Sequence, residues 1–273
     1  MIFDTHCHGY WEGLAHREEE VLRNMHSAGV MRSVQIGTDL ESSQQALDLA
    51  RRWGRDTWCT AGVHPTDCQR FPANSIKESI GNLEKLVLAN RDKIVGIGES
   101  GLDYFHLTRS TREEQKQIQQ SFFRAHAALA LRLDLPLIVH TRDAAGDTLE
   151  SIKNAGVHRA VIHCFSEDLQ FAQDLLAWSD EIYFSFSGIL TYKNAAAVQH
   201  AARSLRLDRI LVETDAPFLV PQAVRGKFDA NEPAFVRHVL DYLKSLRDEP
   251  PDVVEQTVWE NSNRVFRIAE FDI

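Results

Sequence analysis

Cysteine is scarce in this chain, and its spacing fits neither a disulfide framework nor a short metal-binding pair. The 273 residues include four cysteines, and no two of them form a Cys-x-x-Cys pair. Such usage is typical of a protein from a reducing compartment. Cys7 and Cys164 adjoin histidines, but strand alternation is expected to turn both thiols away from the neighbouring imidazoles. We therefore interpret them as packed thiols.

The chain also lacks long hydrophobic runs and an excess of basic residues. No stretch approaches about 18 continuous apolar residues, and the N-terminus lacks the features of a secretory signal. A cytoplasmic protein without a membrane segment is therefore expected. The net charge of −9 argues against a purely electrostatic grip on nucleic acid, which normally requires a basic domain. Bound divalent cations would reverse the sign locally, so nucleic acid stays open as a substrate.

Short β-rich runs alternate with longer amphipathic segments along the chain. Strands are predicted over residues 1–8, 32–37, 57–65, 94–99, 137–140, 160–163, 182–187 and 210–215. Helices are predicted over residues 17–28, 42–53, 76–90, 111–133, 143–155, 166–178 and 194–205, with two more beginning near Asn231 and Pro250. Thr111 is predicted to start a capping box and Ser166 to cap the following helix. The alternation favours an α/β fold, a (β/α)8 TIM barrel forming one domain over residues 1–273.

Metal-type ligands follow the apolar part of most predicted strands. They are His6, His8, His64, Glu99, His140, His163 and Asp215. All of them stand at the C-terminal ends of strands, where barrel enzymes assemble active sites from several strands. In the first strand, residues i and i+2 point to the same side, so His6 and His8 can aim at one point.

Each of these residues taken alone also has a structural interpretation. His140 or His163 could be a hydrogen-bonded core histidine, Glu99 could cap a glycine turn, and Asp215 could begin an Asx turn. Together they place imidazoles and carboxylates in one barrel mouth, where desolvation would be costly without a bound cation. The pattern therefore favours a metal site. Mixed nitrogen and oxygen ligation suits Zn, Mn, Ni or Co, whereas Mg prefers more oxygen and stays a weaker option.

The motifs that carry these residues resemble those of the TatD family of metal-dependent hydrolases, from Asp4 to about Phe266. The matching segments are Asp4-Thr5-His6-Cys7-His8, Gly62-Val63-His64-Pro65, Gly98-Glu99-Ser100-Gly101-Leu102-Asp103-Tyr104, Pro136-Leu137-Ile138-Val139-His140-Thr141-Arg142-Asp143-Ala144, His163-Cys164-Phe165-Ser166, Phe186-Ser187-Gly188-Ile189 and Glu213-Thr214-Asp215-Ala216-Pro217. So many ordered matches are specific for the family, and less specific for the substrate.

The resemblance implies a centre of two divalent ions. It assigns His6, His8 and Asp215 to one ion and His140 and His163 to the other, with Glu99 between them. Two ions about 3.5 to 4 Å apart can share a bridging hydroxide of lowered pKa, the expected nucleophile. Asp215 would orient this water and accept its proton. His64 would either donate a hydrogen bond to the substrate or support the metal ligands from outside.

The resemblance further implies deoxyribonuclease activity, expected to run from the 3′ end of single-stranded DNA, by a protein that needs no partner subunit. Arg142 and the Arg225-Gly226-Lys227 segment are candidates for phosphate contacts. Tyr104, with Phe105 and Tyr192, is a candidate for stacking on a base.

The sequence departs from the family pattern at two places. Phe228-Asp229-Ala230 lengthens the loop before Asn231-Glu232-Pro233, and His126 stands where glutamine is expected. Three other functions stay open. They are hydrolysis of another ester such as D-aminoacyl-tRNA, an amidohydrolase acting on a cyclic amide, and a non-catalytic metal-binding scaffold. Many cyclic amidohydrolases carry a modified lysine at the end of strand four, where this chain has Glu99.

Overall fold

Eight parallel strands form a nearly closed barrel in which each strand lies beside its neighbour in the sequence. The computed structural model describes residues 1–72 and 75–269. The strands are β1 (Ile2–Cys7), β2 (Val30–Gln35), β3 (Thr57–Ala61), β4 (Ile94–Asp103), β5 (Leu137–Arg142), β6 (Ala160–Ile162), β7 (Ile182–Phe186) and β8 (Ile210–Val212). The predicted TIM barrel is confirmed.

The helices connect the strands and surround the barrel. They are α1 (Glu12–Ala15), α2 (Glu18–Ser27), α3 (Leu40–Trp53), α4 (Ile76–Ala89), α5 (Arg112–Leu133), α6 (Ala145–Ala155), α7 (Leu169–Trp178), α8 (Ala196–Ser204), α9 (Val236–Leu246) and α10 (Pro251–Phe266). In the described part of the chain, no helix is long and apolar enough to cross a bilayer.

Two apolar layers hold the strands in place. The larger one lies between the strands and the surrounding helices and includes Ile2 of β1. The smaller one includes Phe3 of β1 and Ile138 of β5, together with Trp259 and Phe266 of α10. Neighbours along β1 thus bury their side chains in different layers, as strand alternation requires. The barrel is a packed core, which leaves its C-terminal mouth as the place for a site.

The seam between β1 and β8 closes at this mouth. The backbone N–H of Asp215 donates to His6 O (2.9 Å), and that of His8 donates to Ala216 O (2.7 Å). Below them, the Asp4 carboxyl accepts from the backbone N–H of Thr214 (2.8 Å) and from its hydroxyl (2.6 Å). These bonds bring the His-x-His segment beside Asp215.

Strand β4 runs past the predicted end at Glu99 and continues to Asp103. The register with β5 shifts between Ile97 and Ser100, so Glu99 lies at an irregularity inside the strand. A side chain at Gly101 would put a Cβ atom 2.0 Å from the backbone oxygen of His140. Glycine at this position therefore lets β4 lie close to the part of β5 that carries His140.

Both predicted helix caps are wrong. Thr111 precedes α5, but its side chain makes no capping hydrogen bond, because a 3-10 turn over Arg109–Thr111 leads into the helix. Ser166 lies too early, since α7 begins at Leu169 and the side chain of Asp168 accepts from Phe171 N (2.9 Å).

Candidate metal centre

The predicted ligands converge in one open cavity of about 1100 Å³ at the C-terminal mouth of the barrel. Its walls include His8, His64, Glu99, His140, His163 and Asp215. His6 lies directly behind them and is buried. Strands β1, β4 and β5, together with the loops after β1, β3, β6 and β8, thus supply one continuous cluster of imidazoles and carboxylates.

One side of the cluster is formed by the two histidines of β1 and Asp215. Oδ1 of Asp215 lies 3.5 Å from Nε2 of His6 and 3.5 Å from Nε2 of His8. The Nδ1 atom of His8 donates to Ile36 O (3.0 Å), which leaves the Nε2 lone pair directed at the cluster. These three side chains form a group that could hold one metal ion.

Glu99 lies between this group and the remaining histidines. Its Oε2 is 3.4 Å from His6 Nε2, while its Oε1 is 2.8 Å from His163 Nε2 and 2.9 Å from His140 Nδ1. One carboxyl group therefore faces both sets of imidazoles with different oxygens.

Two further carboxylates fix the orientation of the histidines on the second side. Asp103 Oδ2 accepts from His140 Nε2 (3.3 Å), and Glu213 Oε1 accepts from His163 Nδ1 (3.3 Å) and Cys164 N (2.7 Å). In the neutral form of each imidazole, the other nitrogen carries no proton, faces Glu99 and could bind a metal ion. This arrangement of carboxylate and histidine is typical around protein metal ions.

His64 differs from the other imidazoles in the state of its ring nitrogens. Its Nδ1 accepts from the backbone N–H of Thr66 (3.2 Å) and lies 2.6 Å from the Thr66 hydroxyl. In the neutral ring the proton must then be on Nε2, which lies 3.3 Å from Glu99 Oε1. Burial lowers the pKa of His64, which favours this neutral form. His64 is thus a hydrogen-bond donor towards the cluster.

The charges of the cluster are coupled. Burial raises the pKa of the Glu99 carboxyl, but the facing imidazoles of His163, His64 and His140 outweigh it and hold that pKa well below its usual range. Burial lowers the pKa of His163, but Glu99 and Glu213 outweigh it and raise that pKa well above its usual range. Without a metal, a proton on His163 balances Glu99. A bound cation would replace that proton.

The donor set fits divalent metal ions. Both ring nitrogens of His6 are buried without a hydrogen-bond partner, an arrangement that is costly unless a ligand satisfies it. His8, His140 and His163 each direct at the same space a ring nitrogen that can bind a metal ion once it carries no proton, and Glu99 and Asp215 add carboxylate oxygens. Imidazole and carboxylate together are the ligands of transition-metal hydrolases.

Comparisons with known proteins decide the family. The model of the family described as TatD related DNase matches residues 3–267. The chain belongs to the TatD family of metal-dependent hydrolases. The resemblance drawn from the sequence motifs is thereby confirmed.

Two relatives of this TatD-family protein match it over nearly the whole length. An uncharacterized metal-dependent hydrolase of Escherichia coli K12, YcfH, is 36% identical over 273 residues, covering 98% of this chain and 96% of that protein. An uncharacterized metal-dependent hydrolase of Bacillus subtilis, YabD, is 32% identical over 270 residues, covering 98% and 100%. The crystal structure of YjjV, a TatD homologue from Escherichia coli K12, superimposes with a TM-score of 0.88 at 28% identity, covering 98% of each chain.

The four residues of this TatD-family protein that were predicted to contact substrate lie in different surroundings. Arg142 lines the cavity, and its guanidinium carbon lies 3.8 Å from the ring centroid of Phe105. Tyr104 is buried and its hydroxyl donates to Asp147 Oδ2 (2.6 Å). Arg225 lies over the ring of Tyr192 at 4.9 Å, and the backbone N–H of Lys227 donates to Val224 O. Contact with substrate stays a prediction for all four predicted positions.

The two cysteines beside the ligands have different surroundings. Cys7 is buried, and its Sγ accepts from Gln35 Nε2 (3.1 Å), as expected for a packed thiol. Cys164 lines the cavity, with Sγ 3.2 Å from the Ser187 hydroxyl, so its thiol is not turned fully away. A positive φ of 45° at Cys164 interrupts the strand alternation on which that expectation depended.

Asp103 and Glu213 accept hydrogen bonds from His140 and His163, and the sequence analysis did not single them out. Both stand in family-like motifs, and Glu213 precedes Asp215 at the same i, i+2 spacing as His6 and His8. That spacing was the signal that could have found Glu213.

Proposed function

We propose that the cluster holds two divalent metal ions and that the protein hydrolyses phosphodiester bonds in single-stranded DNA, shortening it from the 3′ end. The position of Glu99 carries this proposal, because its two oxygens face two separate sets of imidazoles. His6, His8 and Asp215 would hold one ion, His140 and His163 the other, and Glu99 both. The family description as a DNase supports DNA as the substrate.

The two side chains nearest the reacting atoms, Asp215 and His64, would have separate tasks. Bound divalent ions would supply charge neutralisation at the phosphate and a lowered pKa for water. Asp215, with Oδ1 3.5 Å from Nε2 of both β1 histidines, would orient the attacking water and accept its proton. His64 would donate its Nε2 proton in a hydrogen bond to a phosphate oxygen or to the leaving oxygen.

Arg142 is the cavity-lining cation next to the proposed second ligand group. It follows His140 by two residues on β5, and its guanidinium plane can pair with a phosphate that neighbours the scissile one. A cytoplasmic location and a monomeric state stay predictions that accompany this proposal.

The test is hydrolysis of an end-labelled single strand by metal-stripped protein resupplied with Mg, Mn or Zn, with the products resolved by length. We expect stepwise shortening from the 3′ end that needs the added ion. If DNA stays intact with every ion while a D-aminoacyl ester or a simple ester is cleaved, the substrate of this site is another ester and not DNA.

The first prediction concerns Glu99. Glu99→Gln removes the charge that both proposed ion sites share, so activity should fall by about 100-fold or more while the fold remains. The matched control is Glu41→Gln, which makes the same change at a cavity-lining carboxylate away from the cluster. Full activity in Glu99→Gln, measured at saturating Mn, would rule out the two-ion centre.

A further inference from the structure

In the part of the chain that the structure describes, exposed aromatic side chains lie at the end of the barrel that carries the cluster. In residues 1–72 and 75–269, the exposed phenylalanine, tyrosine and tryptophan side chains are Trp11, Phe105, Phe218 and Phe228. They follow β1, β4 and β8, and none of the four lies on an outer helix or at the opposite end. Packing against the core does not explain this distribution, since these rings are partly in solvent.

Two of these rings form a corner on the wall of the cavity. Trp11 and Phe218 meet edge to face, with centroids 4.8 Å apart and an interplanar angle of 89°. Their exposed fractions are 36% and 42%. The ring centroid of His8 lies 5.3 Å from that of Trp11 and 6.2 Å from that of Phe218, so the corner directly adjoins a proposed ligand.

The corner lies across the mouth from the cation that we assign to phosphate. Trp11 and Phe218 stand at the β1/β8 seam, whereas Arg142 ends β5, half-way round the strand order. A phosphate held at the cluster would therefore have an apolar, ring-lined wall on one side and a guanidinium on the other. A nucleotide offers this combination of a planar base and an anionic ester.

We propose that the Trp11–Phe218 corner, defined by these two side chains, binds the base of the nucleotide being released and makes the site specific for unpaired bases. A base in a duplex is already stacked on its neighbours, so it cannot stack on these rings without leaving the helix. This inference rests on the proposed function and names the feature of the substrate that the site reads. It assigns Trp11 and Phe218, which are not metal ligands, a role in positioning the substrate.

The test uses two phosphate monoesters that contain no diester bond to cleave. Thymidine 5′-phosphate and the corresponding dideoxyribose phosphate without a base carry the same phosphate group, and both are titrated calorimetrically into Mn-loaded protein. We expect the wild type to bind the nucleotide at least about fivefold more tightly, the lower end for stacking of one base. Trp11→Leu and Phe218→Leu should each remove most of that preference without weakening binding of the baseless sugar phosphate.

Two further variants separate stacking from a structural effect. Trp11→Phe keeps an aromatic ring and should retain most of the preference for the base. Phe228→Leu makes the same ring-to-aliphatic change on an exposed phenylalanine that packs against Phe235 instead, and should leave the preference unchanged. Thermal unfolding of each variant shows that it is folded.

Equal binding of the two phosphates by the wild type, or an unchanged preference in both leucine variants, would overturn the corner as a base site. That result would leave the proposed function standing if single-stranded DNA is still shortened. A base preference lost in the leucine variants, in a protein that leaves DNA intact, would support the corner and overturn DNA hydrolysis.

Discussion

His126 occupies a buried position on α5 where the family pattern led us to expect glutamine. Its Nε2 accepts from the backbone N–H of Val63 (3.0 Å), and its Nδ1 donates to Phe122 O (2.8 Å). Burial lowers the pKa of His126 to about 4. The ring must be neutral to accept from Val63, the residue before His64, so this position supports the loop that carries the proposed donor.

Replacing this histidine should change the acid stability of the protein. The pKa of His126 is about 4 in the folded chain and about 6.5 when unfolded, so its protonation favours unfolding as the pH falls from 6.5 towards 4. This linkage lowers the free energy of unfolding by about 3 kcal/mol between pH 6.5 and pH 4. Above pH 6.5 it has no effect. His126→Gln can keep both hydrogen bonds without titrating, so its free energy of unfolding should fall less.

Urea unfolding of the wild type and His126→Gln between pH 4 and 7.5 measures this difference. The other histidines are common to both proteins, so the difference between the two curves isolates position 126. Parallel curves across the whole range would show that His126 does not carry the linkage.

Arg142 should affect substrate binding more than the chemical step. Under the proposed function, this exposed side chain pairs with a phosphate beside the scissile one, so Arg142→Ala should raise the KM for longer strands about fivefold and leave kcat nearly unchanged. Arg124→Ala, on the outer face of α5, is the matched control. An unchanged KM would show that Arg142 is a solvated surface residue that does not contact the substrate.

The sequence predicted which residues stand near the site but not how each side chain is used. His6, His8, His140 and His163 were predicted because each ends a strand. The role of Asp103 depends on which nitrogen of His140 faces outward, and that is set by ring orientation in three dimensions. No pattern along the chain encodes this orientation.

At the scale of elements, strand and helix order was predictable, whereas their ends were not. The period of the apolar residues determines the type of each element, but an end depends on contacts with other parts of the chain. β4 shows this clearly, since pairing of Ser100–Asp103 with Val139–Arg142 extends it beyond Glu99. That pairing needs glycine at position 101, where a side chain would collide with β5.

The start of α7 gives an element-scale prediction. Both Ser166 and Asp168 have acceptor side chains suited to a cap, and the path of the loop selects Asp168. Asp168→Ala should lower the free energy of unfolding by about 1 kcal/mol, since the N–H of Phe171 loses its acceptor. Ser166→Ala should change it by much less.

Chemical denaturation at neutral pH compares the two alanine variants with the wild type. A larger loss in Ser166→Ala than in Asp168→Ala would contradict this assignment of the cap.

At the scale of the whole molecule, barrel closure creates the site. Asp4 and Thr214 are 210 residues apart and are joined by two hydrogen bonds at the seam, which puts the β1 histidines beside Asp215. The sequence could predict this meeting because a closed barrel makes its first and last strands neighbours. It could not predict the aromatic corner, since Trp11 and Phe218 come together only after the seam has closed.

The central claim is that this cluster is a two-ion centre, and anomalous diffraction from a crystal soaked in Mn tests it most directly. We predict two anomalous peaks per chain, one contacted by His6, His8 and Asp215 and the other by His140 and His163, both touching Glu99. His64 should approach neither ion with its Nε2. A single peak, no peak at the mouth, or an ion bound through His64 would contradict the account.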